Sequence, residues 1–352
     1  MKLRLGTRGS HLARTQAAGV AGWLAELGHD AELSIISTAG DRSTATSFGS
    51  IGPQGVFVRE IEHALLAGEV DIAIHSYKDL PTQSPDKLTI GAVPERLDPA
   101  DVLVMTRAAA TDSAEALPIA SSARVGTASA RRQAWIRHLR PDIKVVAIRG
   151  NVPTRINRLR TDLDGVVLAA AGIQRLRRSP LDGVADPVSD EFAVHRLGPR
   201  DFVPAPAQGA LAIQCRRADK GLCELLKSLD HAATRQAVAA ERNLLARVEG
   251  GCDLAFGAWC TADGPRAIQS GDLRTADDTT RRSSNQPSSI QGTSNQETPA
   301  QASSAQASTP GAARLIAWLE HDGVLRKADS REMDPDALVD SAWSELERQW
   351  TG

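Results

Sequence analysis

Apolar residues along this chain fall into short, nearly continuous runs separated by longer stretches in which they recur every three or four positions. That alternation of strand-like and helix-like patterns predicts layered α/β architecture. Leu3–Leu5 reads as a strand, His11–Leu27 as an amphipathic helix, Glu32–Ser37 as a strand, Val56–Leu66 as a helix stopped at Gly68, and Asp71–His75 as a buried strand. The pattern then restarts: Arg124–Gly126 leads into a helix beginning near Ser129, Lys144–Ile148 is a strand, Thr154–Leu163 a helix, and Gly165–Ala169 a strand. Pro204–Gln208 is a Pro/Ala-rich connector before the strand Ala210–Cys215, so the chain is expected to return there to its first domain. Asp219–Val248 reads as helical, with Gly250-Gly251 as the stop. No internal sequence repeat is visible.

Two segments break the pattern. Thr38–Gln54, rich in Gly, Ser and Thr, is too long for an ordinary strand-to-helix connection and is a candidate lid. Thr275–Gly311 consists mostly of Ser, Thr, Gln, Asn, Ala and Pro; with little to bury, it is expected to be disordered. Ala312–Leu319 and Pro335–Trp350 resume an ordered pattern, giving a small interrupted third domain.

Composition narrows the function. A chain of 352 residues suggests two or three domains, and 41 basic against 43 acidic residues leave no global field to recruit nucleic acid or an anionic membrane. The charge is local: Arg124 to Arg178 holds 13 Lys/Arg against Asp142, Asp162 and Asp164. Aromatics at 3% are too few for a base-stacking platform. The start of the chain lacks a signal-like apolar core and no run approaches a membrane span, so a cytoplasmic protein is expected. Cys215, Cys223, Cys252 and Cys260 should then be reduced; none has zinc-site spacing, so no metal is expected, and all but Cys252 read as packing residues.

In open α/β sheets, ligands bind beyond the carboxyl ends of the strands. Polar residues cluster there: Arg8 and Ser10 after the first strand, Ser76, Lys78 and Asp79 after His75, Thr127, Ser129, Arg131 and Arg132 after Val125, Arg149 after Ile148, and Arg175 after Ala169. Guanidinium groups bind carboxylates bidentately, so their convergence on one cleft implies a polycarboxylate ligand; the alternative is a solvated face or helix caps. Asp79 suits the stabilisation of a developing cation, or else caps a helix. Cys252, just past a double glycine, could reach a cleft from a separate domain, although a buried structural cysteine is the commoner role.

These residues lie in five ordered motifs, and on them the chain resembles the porphobilinogen deaminase (hydroxymethylbilane synthase) family from Gly6 to Cys252. The motifs are His75-Ser76-Tyr77-Lys78-Asp79-Leu80-Pro81, Val125-Gly126-Thr127-Ala128-Ser129-Ala130-Arg131-Arg132-Gln133, Arg149-Gly150-Asn151-Val152-Pro153-Thr154-Arg155, Gln208-Gly209-Ala210 and Glu249-Gly250-Gly251-Cys252. The resemblance implies two α/β domains forming a type II periplasmic-binding-protein clamshell plus a smaller α+β C-terminal domain. Their expected limits are 1–97 with about 200–217, then 98–199, then 218–352. It implies a monomeric enzyme that joins four porphobilinogen units head to tail, with loss of ammonia, on a dipyrromethane cofactor covalently attached to Cys252. Asp79 would be catalytic. Lys78, Thr127, Ser129, Arg131 and Arg132 would hold the cofactor, and Arg8, Ser10, Arg149, Arg155, Arg175 and Gln208 the substrate. Ala39, Pro53, Gln54, Ala128 and Pro153 depart from the family pattern. The rival expectation is a non-catalytic clamshell binding protein or sensor for a small polycarboxylate, which explains the arginines but not Asp79 together with Cys252.

Overall fold

The structure, a computed structural model, describes residues 2–36, 58–179, 181, 186–248, 255–262, 312–321 and 323–351. Three features singled out above, the candidate lid, Cys252 and Thr275–Gly311, lie outside those residues. In chain order the first elements are β1 (Lys2–Thr7), α1 (His11–Glu26), β2 (Asp30–Ile35), α2 (Arg59–Leu66), β3 (Ile72–Ser76), β4 (Leu88–Ala92), β5 (Asp101–Thr106), β6 (Arg124–Gly126) and α3 (Ala130–Leu139). Next come β7 (Lys144–Val146), α4 (Val152–Asn157), β8 (Gly165–Ala169), α5 (Ala170–Arg177), β9 (Phe192–Leu197) and β10 (Leu211–Arg216). The last are α6 (Lys220–Lys227), α7 (Ala232–Val248), β11 (Ala255–Ala262), β12 (Ala313–His321), β13 (Val324–Glu332) and α8 (Pro335–Thr351).

Among the described residues the strands form three sheets, ordered β2-β1-β3-β10-β4, β7-β6-β8-β5-β9 and β11-β12-β13. The first two share one plan. In each, the second strand in order pairs in parallel with both neighbours, β1 with β2 and β3, β6 with β7 and β8. One strand in each runs antiparallel between two others, β10 between β3 and β4, β5 between β8 and β9. These odd strands are the ones reached by crossing from the other sheet, which gives the two-lobed arrangement expected of the clamshell. The duplication is absent from the sequence because a strand order is set by long-range pairing, and many apolar sequences satisfy it.

The crossing segments lie against each other: Leu97 N donates to Gly209 O at 3.2 Å and Arg96 Nε to Gln208 O at 2.7 Å. Gly209 adopts φ +91, and a Cβ there would sit 2.5 Å from Leu97 O, so glycine is required for this close approach. The third sheet is antiparallel and buries Phe256, Leu315, Leu319, Leu338 and Leu346 together with Leu244 of α7. Glu241, fully buried on α7, ties it to the crossings by accepting from Arg96 Nη1 (2.7 Å), Ala207 N (2.6 Å) and Cys260 N (2.9 Å). No helix among the described residues is long and apolar enough to cross a membrane.

Two expectations need correction. The helical reading of Asp219–Val248 is two helices, α6 and α7, because Asp230 and His231 between them bond Val93 N (2.7 Å) and Val93 O (2.9 Å). Thr154–Leu163 is the short α4 followed by a 3₁₀ turn, where Asp162 turns back onto Arg158. Strands β4, β5, β9, β11 and β13 carried no sequence reading.

Candidate functional site

Apart from Gln208, which precedes the antiparallel β10, the predicted site residues that are described sit where chain direction dictates, beyond the carboxyl ends of the parallel strands. Thr7, the last residue of β1, is buried and its hydroxyl donates to Ala13 O, which seats the start of α1 beside Arg8. Ser10 caps α1, accepting from Ala13 N at 3.3 Å. Ser129 likewise caps α3, Thr127 accepts from Ser129 N at 3.2 Å, and Asn151 caps α4 through Thr154 N. The three hydroxyl residues Ser10, Thr127 and Ser129 therefore already serve the local backbone as acceptors.

Asp79 ends a single 3₁₀ turn, Tyr77–Asp79, directly after β3, and its side chain is exposed. The turn is held from behind by α7. Arg242 stacks its guanidinium 4.5 Å from the Tyr77 ring centroid and donates to Leu80 O at 3.0 Å and Tyr77 O at 3.3 Å. Nothing in the local sequence marked Arg242. A cavity of 370 Å³ lies on this rear side, lined by Tyr77, Asp86, Arg217, Arg242 and Asn243, and not over Asp79.

Arg131 and Arg132 converge on a residue that sequence reasoning missed. Asp101, the first residue of β5, has no exposed surface; its Oδ2 accepts from Arg131 Nη2 at 2.8 Å and its Oδ1 from Arg132 Nη2 at 2.7 Å and Arg132 Nε at 3.1 Å. Further donors on each guanidinium reach backbone, Arg131 Nη1 to Val203 O and Arg132 Nη1 to Val167 O. Burial alone would raise the Asp101 pKa; the two guanidinium charges outweigh it and bring it down to about 2. Burial depresses Arg131 below the usual arginine range, opposed by Asp101. Among the described residues the buried Arg131 Nε has no acceptor. The available signal was a lone carboxylate heading the apolar run Val102-Leu103-Val104-Met105.

Gln208 is also buried. Its Nε2 donates to Asp101 Oδ1 (3.0 Å) and Pro99 O (2.8 Å), so its Oε1 faces Lys78 Nζ at 3.2 Å. Burial pulls Lys78 down to about 8, with Asp79 and Asp101 opposing and Arg132 and Arg131 reinforcing the fall. Arg155 lies in the same field: burial and Arg132 depress it, Asp79 opposes. Arg175 crosses between the lobes to Gly209 O at 2.8 Å, and burial lowers it to about 10. Lys78, Asp79, Arg131, Arg132 and Arg155 thus form one electrostatic cluster. Arg149 is exposed after β7, and Arg8 and Ser10 stand at the end of β1, in the same sheet as Asp79.

Such a cluster can bind several carboxylates and hold one carboxylate where positive charge develops. It reaches the third sheet at Gly257 on β11: a Cβ there would lie 3.3 Å from Arg131 Cδ. Cys252 precedes β11 by three residues in the sequence.

The family model for porphobilinogen deaminase, dipyromethane cofactor binding domain, matches residues 3–224. Porphobilinogen deaminase of Mycobacterium leprae is 46% identical over 257 residues, covering 73% of this chain and 76% of that protein. Porphobilinogen deaminase of Cutibacterium acnes is 46% identical over 270 residues with the same coverages. The solved structure of an ancestral cationic amino acid solute binding protein covers 65% of this chain and 87% of its own, at 15% identity and TM-score 0.37, too loose a likeness to bear on function.

Proposed function

The chain belongs to the porphobilinogen deaminase family, and from that premise we propose that it joins four molecules of porphobilinogen, each losing one ammonia, and releases them from its primer by reaction with one water as a linear tetrapyrrole. It carries a dipyrromethane cofactor attached through the sulfur of Cys252. The observation that carries this reading is the cluster around Asp79: one exposed carboxylate among Lys78, Arg132 and Arg155, beside the Arg131–Asp101–Arg132 triad. A ligand with several acidic side chains and N–H donors needs that combination; a plain anion receptor has no use for the carboxylate.

When bound, the cofactor supplies a tethered pyrrole primer. Lys78, Arg131, Arg132, Thr127 and Ser129 would hold its carboxylates, and the unpaired buried Nε of Arg131 fits that role. Arg8, Ser10, Arg149, Arg155 and Arg175 would bind the substrate's carboxylates. Asp79 would accept substrate N–H groups and stabilise the cation left as ammonia departs. Gln208 acts behind these residues, on Lys78. Cys252 is the reading for attachment because it ends the motif Glu249-Gly250-Gly251-Cys252 that carries the family resemblance; Cys215 and Cys260 are buried thiols pushed up to about 12, ill suited to the thiolate that attachment requires. We place the domain limits at the crossings, 1–97 with about 200–217, 98–199 and 218–352, and read the protein as a cytoplasmic monomer, since one cleft with a covalent primer needs no partner subunit.

Intact-mass measurement of the purified protein tests the proposal. The wild type should be heavier than its sequence by one dipyrrole and should consume porphobilinogen. Cys252→Ala should lack the increment, while Cys215→Ala, Cys223→Ala and Cys260→Ala should keep it. A wild-type mass matching the bare chain, with no turnover, would overturn the reading.

A further inference from the structure

Three cations, Lys78, Arg131 and Arg132, stand together on one wall of the cleft. Like charges brought together in a partly dry site repel one another unless a counter-charge stands among them. Lys78 is the only one that can relieve the repulsion by losing its proton, because arginine stays charged under all ordinary conditions. The charged groups acting on Lys78 are Asp79 on its own turn, Asp101 on β5, and Arg131 and Arg132 on α3. Asp79 is exposed and is committed to the ligand in the proposed reaction. Asp101 is fully buried, salt-bridged to both arginines at 2.8 and 2.7 Å, and linked to Lys78 through Gln208 by contacts of 3.0 and 3.2 Å.

We propose that Asp101 is a positioning residue for the reaction, the internal counter-charge that lets Lys78, Arg131 and Arg132 stand together as cations, with Gln208 holding the ammonium in place. Asp101 never meets the ligand. Its carboxylate neutralises one of the two guanidinium charges, so the wall keeps a charged ammonium for a ligand carboxylate. Without it, Lys78 would face two uncompensated arginines and give up its proton at a lower pH. The Lys78 pKa of about 8 sits close enough to neutrality for this to matter. The role in catalysis rests on the deaminase reading; the effect on Lys78 does not.

The test is the pH dependence of Lys78 acetylation by acetic anhydride in the full chain, read by peptide mass spectrometry, alongside turnover. In Asp101→Asn the labelling midpoint should move at least about one pH unit toward acid, the scale set by a nearby charge. Turnover of porphobilinogen, which needs the cofactor held in place by Lys78, should fall several-fold at pH 8 and return toward the wild-type value near pH 6, where Lys78 is again charged. Loss of packing alone would not be rescued by acid. Asp101→Glu, which keeps the charge, should leave the midpoint in place. Should Asp101→Asn fail to fold by circular dichroism, the pair Asp101→Asn with Arg132→Gln removes one charge of each sign and carries the test. Its midpoint should match wild type, while Arg132→Gln alone should move it toward alkali. Equal midpoints in all folded variants would overturn the proposal. A wild type without deaminase activity whose Lys78 still responds to Asp101 would sink only the deaminase reading.

Discussion

Asp79 stands exposed on a turn braced from behind by Arg242, so in the proposed reaction its charge would meet the ligand while its backbone is fixed. A group that acts on charge developing only during reaction contributes to turnover more than to binding. Asp79→Asn keeps the shape and removes the charge; kcat should fall at least about a hundredfold with KM little changed, measured by steady-state kinetics. Near-normal kcat with a raised KM would reduce Asp79 to a binding residue. The arginines make the complementary prediction. Arg149→Lys and Arg155→Lys conserve charge but lose the bidentate fork, so kcat/KM should drop by roughly tenfold or more in each. Variants indistinguishable from wild type would favour a solvated face for these positions.

Among elements, the joint between the third sheet and the lobes is the most constrained. Gly257 on β11 lies against the connector, where a Cβ would meet Val203 O at 2.8 Å and Pro204 O at 3.0 Å, and neither backbone oxygen can yield cheaply. Gly257→Ala should cost about 1–3 kcal/mol, visible in denaturant unfolding, as overpacking does elsewhere. Glu241 on α7 carries more. Replacing it with Ala strands the nearly buried Arg96 guanidinium and two buried backbone donors, a loss on the order of 3–5 kcal/mol that circular dichroism melting should detect. β11 and β12 pair up to Ala262↔Ala313, so the two ends of the chain between them already lie side by side. Closing that gap needs few residues, and loop-closure entropy grows slowly with length. Replacing residues 275–311 by a short Gly/Ser linker should therefore preserve folding, the mass increment and turnover; loss of turnover in a folded variant would show that the tract serves the catalytic lobes.

The molecule as a whole should be labile to acid in stages. His75 is buried, and its Nε2 meets Gln214 Oε1 at 3.1 Å, while Gln214 Nε2 donates to Glu62. Burial pulls its pKa from 6.5 to about 4, so the folded state resists a proton that the unfolded chain accepts. Its contribution is complete above pH 6.5 and is lost as pH falls toward 4. Asp71 and Asp101 follow. Each drops from 3.8 to about 2, Asp71 chiefly through its bond from Arg4 and Asp101 through its two arginines against the cost of burial. Both stabilise the fold above pH 3.8 and lose that contribution as pH falls toward 2. The Tm measured by calorimetry should decline from near neutrality downward, and His75→Gln should flatten the first stage only.

The sequence by itself determined the α/β class and the placing of Asp79 and the arginines at strand ends. These follow from local periodicity and from glycine and proline stops, and a residue's distance from the end of its own strand is a local property. Tertiary structure alone decided that the two five-stranded sheets share one strand order, that α7 braces the catalytic turn through Arg242, and that Arg131 and Arg132 share a carboxylate on β5. Asp101 lies 30 residues from Arg131, and Tyr77 lies 165 from Arg242. A pairing across such separations leaves no periodic trace in the chain. It exists because the sheet order brings the ends of β3, β5 and β6 to one cleft, where desolvation makes an uncompensated charge costly and so selects its partner.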